Sequence, residues 1–219
     1  MLRISIDGAT RRNGMPDCTS AGGVFIQHLS EEGKLIDCTV LSVHEYGSTN
    51  QRGELLALLK ALDYIYSAKQ EAWIITDSEY LFNAMTKAWY ERWLHNNWKT
   101  ASGEDVKNKD IWHEIAQVFA KCDEVHFFHI KGHVIPFGKV TARTLLTKDS
   151  TGYTLLKNVY AQYDKLSPKK EGVISNAQEL SEKNNGFMLQ PKTFRSFVVA
   201  NTMADAIATM VVEAADRNI

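Results

Sequence analysis

Four acidic residues occupy positions where an acid is costly or conspicuous. Asp7 follows the apolar Ile4 and Ile6 and precedes Gly8, and Asp77 follows the apolar run AWIIT. Both thus stand at the carboxyl ends of expected strands, where open α/β sheets form their ligand crevices. Glu54 shares a helical face with Leu58, Ala61, Leu62 and Ile65, and Asp205 shares one with Asn201, Ala208 and Val212. An ionised carboxylate is rarely buried without a partner. Each acid has a plainer reading: an Asp-Gly turn for Asp7, a helix cap beside Ser78 for Asp77, a salt bridge for Glu54 and for Asp205. If the four converge, they repel one another and drift toward neutrality unless a cation holds them. Mg²⁺ suits such a set, because it takes oxygen ligands. Two such ions about 4 Å apart suit in-line displacement at phosphorus, one serving the attacking water and the other the leaving oxygen.

The elements that must hold these acids can be read from periodicity. Leu2–Ile6, Gly22–His28 and Lys34–Val43 alternate as strands, with a Glu31-Glu32-Gly33 turn making the second and third a hairpin. Asn50–Ser67 has the clearest helical stripe, started by a capping box of Ser48 and Gln51 or by Thr49. Ala72–Thr76 reads as a buried strand, Val125–Ile130 as another, and Ser78–Thr86, Trp89–Asn96 and Lys109–Lys121 as helices. Phe197–Ala215 is a long apolar helix. The first three strands read as antiparallel and the later two as parallel to the first. The expected fold class is α/β, a mixed five-stranded sheet with helices.

Composition bounds the rest. The chain has 219 residues, 44% hydrophobic and 23% charged, with a formal net charge of −1. One domain is expected over 1–219. Its three cysteines, Cys18, Cys38 and Cys122, form no CxxC or zinc spacing, which favours a reducing, cytoplasmic setting. The N-terminal MLRISIDGA is too short an apolar stretch for a signal peptide. No uninterrupted apolar run of 18 residues exists, so no membrane span is expected. The charge is uneven: residues 1–138 carry net −4, residues 139–195 net +5, and residues 196–219 net −2. The middle block also turns polar, with Ser167-Pro168-Lys169-Lys170 and Asn184-Asn185-Gly186 as breakers and short helices over Thr154–Tyr163 and Asn176–Lys183. It reads as an insertion at about 139–195, and its charge as either a solvated face or a site for an anionic partner.

Six stretches, in this order, resemble type 1 ribonuclease H: IDGA at 6–9, TNQRGELLALLKAL at 49–62, TDSEY at 76–80, WKTASGEDVKNKDIW at 98–112, HIKGH at 129–133 and NTMADAIA at 201–208. The resemblance implies the ribonuclease H fold, with helices on both sides of the sheet. It implies cleavage of the RNA strand of an RNA–DNA hybrid by two Mg²⁺ ions, with Mn²⁺ as a substitute. Asp7, Glu54, Asp77 and Asp205 match the family's metal ligands, and His133 its auxiliary histidine, which shuttles protons or eases product release. Asn50 and Gln51 match minor-groove readers, and Gly8 and Glu54 match positions that meet the RNA 2′-hydroxyls. Trp89, Trp93 and Trp98 resemble the handle that grips the DNA strand, with Trp98 and Lys99 as its contacts; packing is the alternative for Trp89 and Trp93. The handle departs from the family pattern in being electrically neutral over 88–110. The implied partner is the hybrid, with no membrane, and a monomer is expected. The rival readings are another phosphoryl-transfer enzyme of the same fold, a silent hybrid-binding module, and an unrelated small-molecule α/β enzyme, the last weakened by the lack of a GxGxxG or GxxxxGK(S/T) motif.

Overall fold

The computed structural model describes residues 1–13, 15, 17–134 and 152–215. Five strands, β1 (Leu2–Arg11), β2 (Thr19–Leu29), β3 (Leu35–Tyr46), β4 (Ala72–Thr76) and β5 (Val125–His129), form one sheet in the order β3-β2-β1-β4-β5. β1, β2 and β3 are antiparallel neighbours, and β4 and β5 run parallel to β1. This is the mixed sheet expected from the sequence.

Two helical layers cover it. On one face lie α1 (Asn50–Ala68), α2 (Glu79–Thr86), α3 (Trp89–His95) and α4 (Lys109–Phe119). Their apolar sides meet Leu2, Ile4 and Ile6 of β1 in a core that includes Leu58, Leu62 and Trp112. On the other face lie α5 (Gly152–Leu166), α6 (Glu171–Asn185) and α7 (Pro191–Ala215), packed through Val159, Phe197 and Met203 onto Phe25, Ile75 and Phe128. β2 sits between both layers and is buried almost throughout, whereas edge strand β3 alternates over most of its length between partly buried and exposed residues.

Two adjacent glycines let the helices approach the sheet. Side chains alternate across a strand, so Gly22 faces α1 and Gly23 faces α7. A Cβ on Gly22 would lie 2.6 Å from the Gly53 carbonyl oxygen, and one on Gly23 would lie 2.2 Å from that of Ala204. The strand partners of Gly22 and Gly23 are Gly8 and Asp7. The residues following Gly53 and Ala204 are Glu54 and Asp205. These close helix–sheet approaches therefore fall beside Asp7.

Several boundaries differ from expectation. β1 does not end before Asp7 but continues to Arg11, because β2 pairs with it that far. Its pairing with β4 stops at Ser5↔Ile75, so the crevice opens on the β4 side only. Thr49, not a Ser48 capping box, starts α1: its hydroxyl accepts from the Arg52 N–H at 3.3 Å. α7 begins at Pro191, in the first helical position that proline favours, so the final residues of the 139–195 block belong to the helix that carries Asp205. α7 also has the length and mean hydropathy of a membrane span. Here its apolar side, including Phe194, Phe197, Met203 and Ile207, is buried against the sheet.

Candidate active site

Asp7 and Asp77 each stand two residues beyond the last β1–β4 pair, Ser5↔Ile75. Glu54 arrives from the first turns of α1 and Asp205 from the middle of α7. The structure thus brings the four acids from four elements to one end of the sheet. No three of them bring their ligand atoms within 4.8 Å of one another. Among the described residues, the trio whose ligand atoms all lie within 4.8 Å of one another is Glu71, Glu124 and His126, at the opposite end of the sheet.

Burial and mutual repulsion shape the acids' chemistry. Asp7 is 6% exposed; its Oδ1 accepts from the Gly8 N–H at 2.7 Å, and its Oδ2 is buried without a partner. Burial first, then the charges of Asp77, Asp205 and Glu54, push its carboxyl well above the ordinary range. Glu54 is pushed up to about 7, mainly by burial, against the opposing hydrogen bond from Ser78. That bond runs from Ser78 Oγ to Glu54 Oε2 at 2.5 Å, while Asn50 Nδ2 donates to Oε1 at 3.3 Å. Asp77 and Asp205 are also raised by burial, and His133 opposes the shift in both. An all-oxygen donor set with an orphaned buried carboxylate oxygen fits a hard divalent cation.

His133 lies beside this group, its Nδ1 3.8 Å from Asp205 Oδ2, with its side chain 76% exposed. Its backbone has φ 52°, a conformation uncommon for a residue other than glycine. Gly132 before it leaves room for Asp77: a Cβ there would lie 1.8 Å from Asp77 Oδ2. Gly8 is equally tight, since its Cβ would lie 2.7 Å from the Glu54 Cγ. Asn50 and Gln51 line a cleft of about 780 Å³ with Glu54, Ser78, Tyr80 and Lys107. Arg52 holds this end of α1 in place by bonding Glu45 of β3 and, at 2.7 Å, Asp110 of α4.

Trp98 and Lys99 are not in that cleft. Trp98 packs against His113, and Lys99 pairs with Asp105 at 3.1 Å and lines a separate cleft of about 420 Å³ with Trp89, Arg92 and Trp93. Trp93 stacks on Tyr80 and meets Trp112 edge-on, so packing accounts for much of its surface.

Two residues carry weight that spacing alone does not reveal. Ser78 both caps α2 and donates to Glu54, whereas its sequence position signals only the cap. Asn201 is 4% exposed and bonds Asp77, and its Oδ1 is buried without a partner. Its place one helical turn before Asp205 was the available signal.

The RNase H family model matches residues 2–140. The chain belongs to the ribonuclease H family. The match takes in Asp7, Glu54, Asp77 and His133 and ends before Asp205. A ribonuclease H of Syntrophomonas wolfei is 34% identical over 130 residues, covering 59% of this chain and 82% of that protein. One of Chlorobium phaeobacteroides is 40% identical over 93 residues, covering 42% of this chain and 62% of that protein. By fold, the chain is similar to the crystal structure of a type 1 ribonuclease H with the type 2 active-site motif, at TM-score 0.53 and 18% identity. That likeness covers 94% of this chain and 84% of the other. Ribonuclease H membership makes the chain a nuclease-type hydrolase.

Proposed function

We propose that the chain is a metal-dependent endoribonuclease that cleaves the RNA strand of RNA–DNA hybrids. The observation that carries this reading is the gathering of Asp7, Glu54, Asp77 and Asp205 from four elements, where burial raises all four carboxyls. Those four side chains would hold two Mg²⁺ ions, with Mn²⁺ as a substitute. Bound there, the ions would supply Lewis-acid stabilisation of charge at the phosphodiester and an activated water.

The protein's own groups do the rest. Asn50 and Gln51, in the cleft beside Glu54, meet the hybrid's minor groove. The Gly8 backbone and Glu54 read the 2′-hydroxyl, the group that separates RNA from DNA. His133, exposed and beside Asp205, takes up or releases a proton at the leaving group and helps product depart. Trp98 and Lys99, outside the acid cleft, contribute to binding along the DNA strand.

The test is cleavage of labelled hybrid, RNA duplex and DNA duplex in Mg²⁺, Mn²⁺ or EDTA. Cleavage confined to the RNA of the hybrid, abolished by EDTA and by Asp77→Asn in a folded protein, is expected. Near-normal turnover by Asp77→Asn would end this reading. Tight hybrid binding without cleavage in either metal would favour a silent binding module instead.

A further inference from the structure

Lys192 and Arg195, from the basic block over 139–195, stand away from the acids. A cavity of about 390 Å³ lies where the start of α7 meets α5 and the first hairpin. Arg3, Gln27, Tyr160, Lys192 and Ser196 line it, along with Leu29, Leu35 and Leu156. Ser196 precedes Asp205 by nine residues on α7, which places the cavity roughly 13 Å along the helix from that acid.

Its polar groups are left incomplete. Arg3 stands on the face of β1 that α7 covers, with one guanidinium nitrogen donating to Ser196 Oγ at 2.5 Å and the group 5.5 Å from the Phe197 ring centre. Its Nε is buried without a partner, and no carboxylate among the described residues bonds it. Burial lowers its affinity for its proton, against an opposing contribution from Tyr160. Gln27, the strand partner of Arg3, is 3% exposed, and its Oε1 is also buried without a partner. Arg195 differs: Asp164 neutralises it through bonds at 2.8 and 2.5 Å, and it lies 4.5 Å from the Tyr160 ring centre. Lys192 is exposed at the cavity rim with no ion pair among the described residues.

Two uncompensated cations, with the positive end of α7 beside them, suit a group carrying about two negative charges. The space far exceeds the roughly 30 Å³ share of one water. Tyr160 and the leucines offer an apolar wall for an organic body, and the orphaned Gln27 oxygen needs a donor such as a hydroxyl. We propose that this cavity binds a small phosphomonoester, its phosphate on Arg3 and Lys192 and its hydroxylated organic body along Tyr160 and Gln27.

The test uses the full chain in EDTA, which removes metal-bridged binding at the acids. Adenosine 5′-monophosphate and inorganic phosphate are titrated by calorimetry and by thermal shift. Saturable one-to-one binding of the nucleotide is expected, with inorganic phosphate competing more weakly. Lys192→Gln, an exposed substitution, should weaken the nucleotide about tenfold, and Arg3→Met should weaken it further, by the usual worth of a charged hydrogen bond. Arg3→Lys should restore part of the loss. No saturable binding of either probe at millimolar concentration overturns the proposal. So does equal affinity in wild type and Lys192→Gln, a result that stands even if Arg3→Met does not fold. Displacement of the nucleotide by a short RNA–DNA hybrid would overturn the small-molecule assignment, because Arg3 and Lys192 would then be meeting backbone phosphates. None of these readouts depends on cleavage.

Discussion

Asn185, the last residue of α6, pairs with the backbone of His129 as a neighbouring strand would. Its Oδ1 accepts from the His129 N–H at 2.9 Å, and its Nδ2 donates to the His129 carbonyl at 2.8 Å. Asn184 adds a contact to the His129 ring at 3.0 Å. His129 ends β5, an edge strand whose free polar groups would otherwise need water or another strand. The inserted helix thus fastens the strand that leads to His133.

Removing that side chain should loosen this end of β5. Asn185→Ala leaves a buried N–H and a carbonyl without partners, at a cost of about 1–3 kcal/mol. Hydrogen exchange should accelerate over residues 125–134 while the α1 core stays protected. Asn185→Asp, which keeps the acceptor, should fall between. Unchanged exchange in β5 with the alanine variant would show that the contact contributes nothing.

The raised carboxyls give the metal-free protein a definite pH dependence. A carboxyl with a higher pKa in the folded chain than in the unfolded one favours folding in acid. Its contribution is full below the unfolded value of about 4.3. For Glu54 it is lost as pH rises through about 7. A shift of that size corresponds to roughly 3 kcal/mol, and Asp7, Asp77 and Asp205 shift in the same direction. In EDTA, stability should therefore fall from about pH 5 to about pH 8. Glu54→Gln should flatten the fall, and Mg²⁺ should offset it at the alkaline end. Identical pH profiles for wild type and Glu54→Gln would rule out this origin.

His133 should matter for rate more than for binding. It is exposed beside Asp205, and an imidazole can both donate and accept a proton. A positioned acid–base group contributes about 10²–10⁴-fold. His133→Ala should lower single-turnover cleavage within that span while hybrid affinity stays nearly constant. A loss of affinity with unaltered single-turnover rate would make His133 a binding residue instead.

Sequence pattern carried the strand directions and the helix identities because apolar periodicity differs between strand and helix. It also marked the four acids, since Glu54 and Asp205 interrupt apolar stripes. It did not carry their approach, which rests on contacts distant in sequence: Gly22 on Gly53 and Gly23 on Ala204. The β1 extension to Arg11 was hidden for a related reason. Asp7 and Gly8 look like a turn locally, and only pairing with β2 keeps them in a strand. Asn184-Asn185-Gly186 reads as a breaker and is one, with Gly186 at φ 77° ending α6, but a breaker signal does not disclose a cross-strand bond. Motif likeness groups Trp98 and Lys99 with the handle but does not disclose that Lys99 sits with Trp89 and Trp93 in a cleft apart from the acids.

The Gly23–Ala204 approach predicts that a single methyl group will reach the active site through α7. A Cβ on Gly23 would lie 2.2 Å from the Ala204 carbonyl oxygen and 2.7 Å from the Ala208 nitrogen, both backbone atoms within the helix. Neither can turn aside as a side chain would, so the helix must move away from the sheet. Overpacking of this kind costs about 1–3 kcal/mol. Asp205 follows Ala204 directly, so the same movement displaces a carboxylate from the group around Asp7. Gly23→Ala should lower both the melting temperature and the cleavage rate. Gly172→Ala provides the contrast: its Cβ meets nothing within 4 Å, in a helix where alanine is favoured by up to about 1 kcal/mol. That variant should be neutral or slightly stabilising and fully active. If Gly23→Ala melts and cleaves as wild type does, α7 is not held against β2 at this point and the route from Gly23 to Asp205 is wrong.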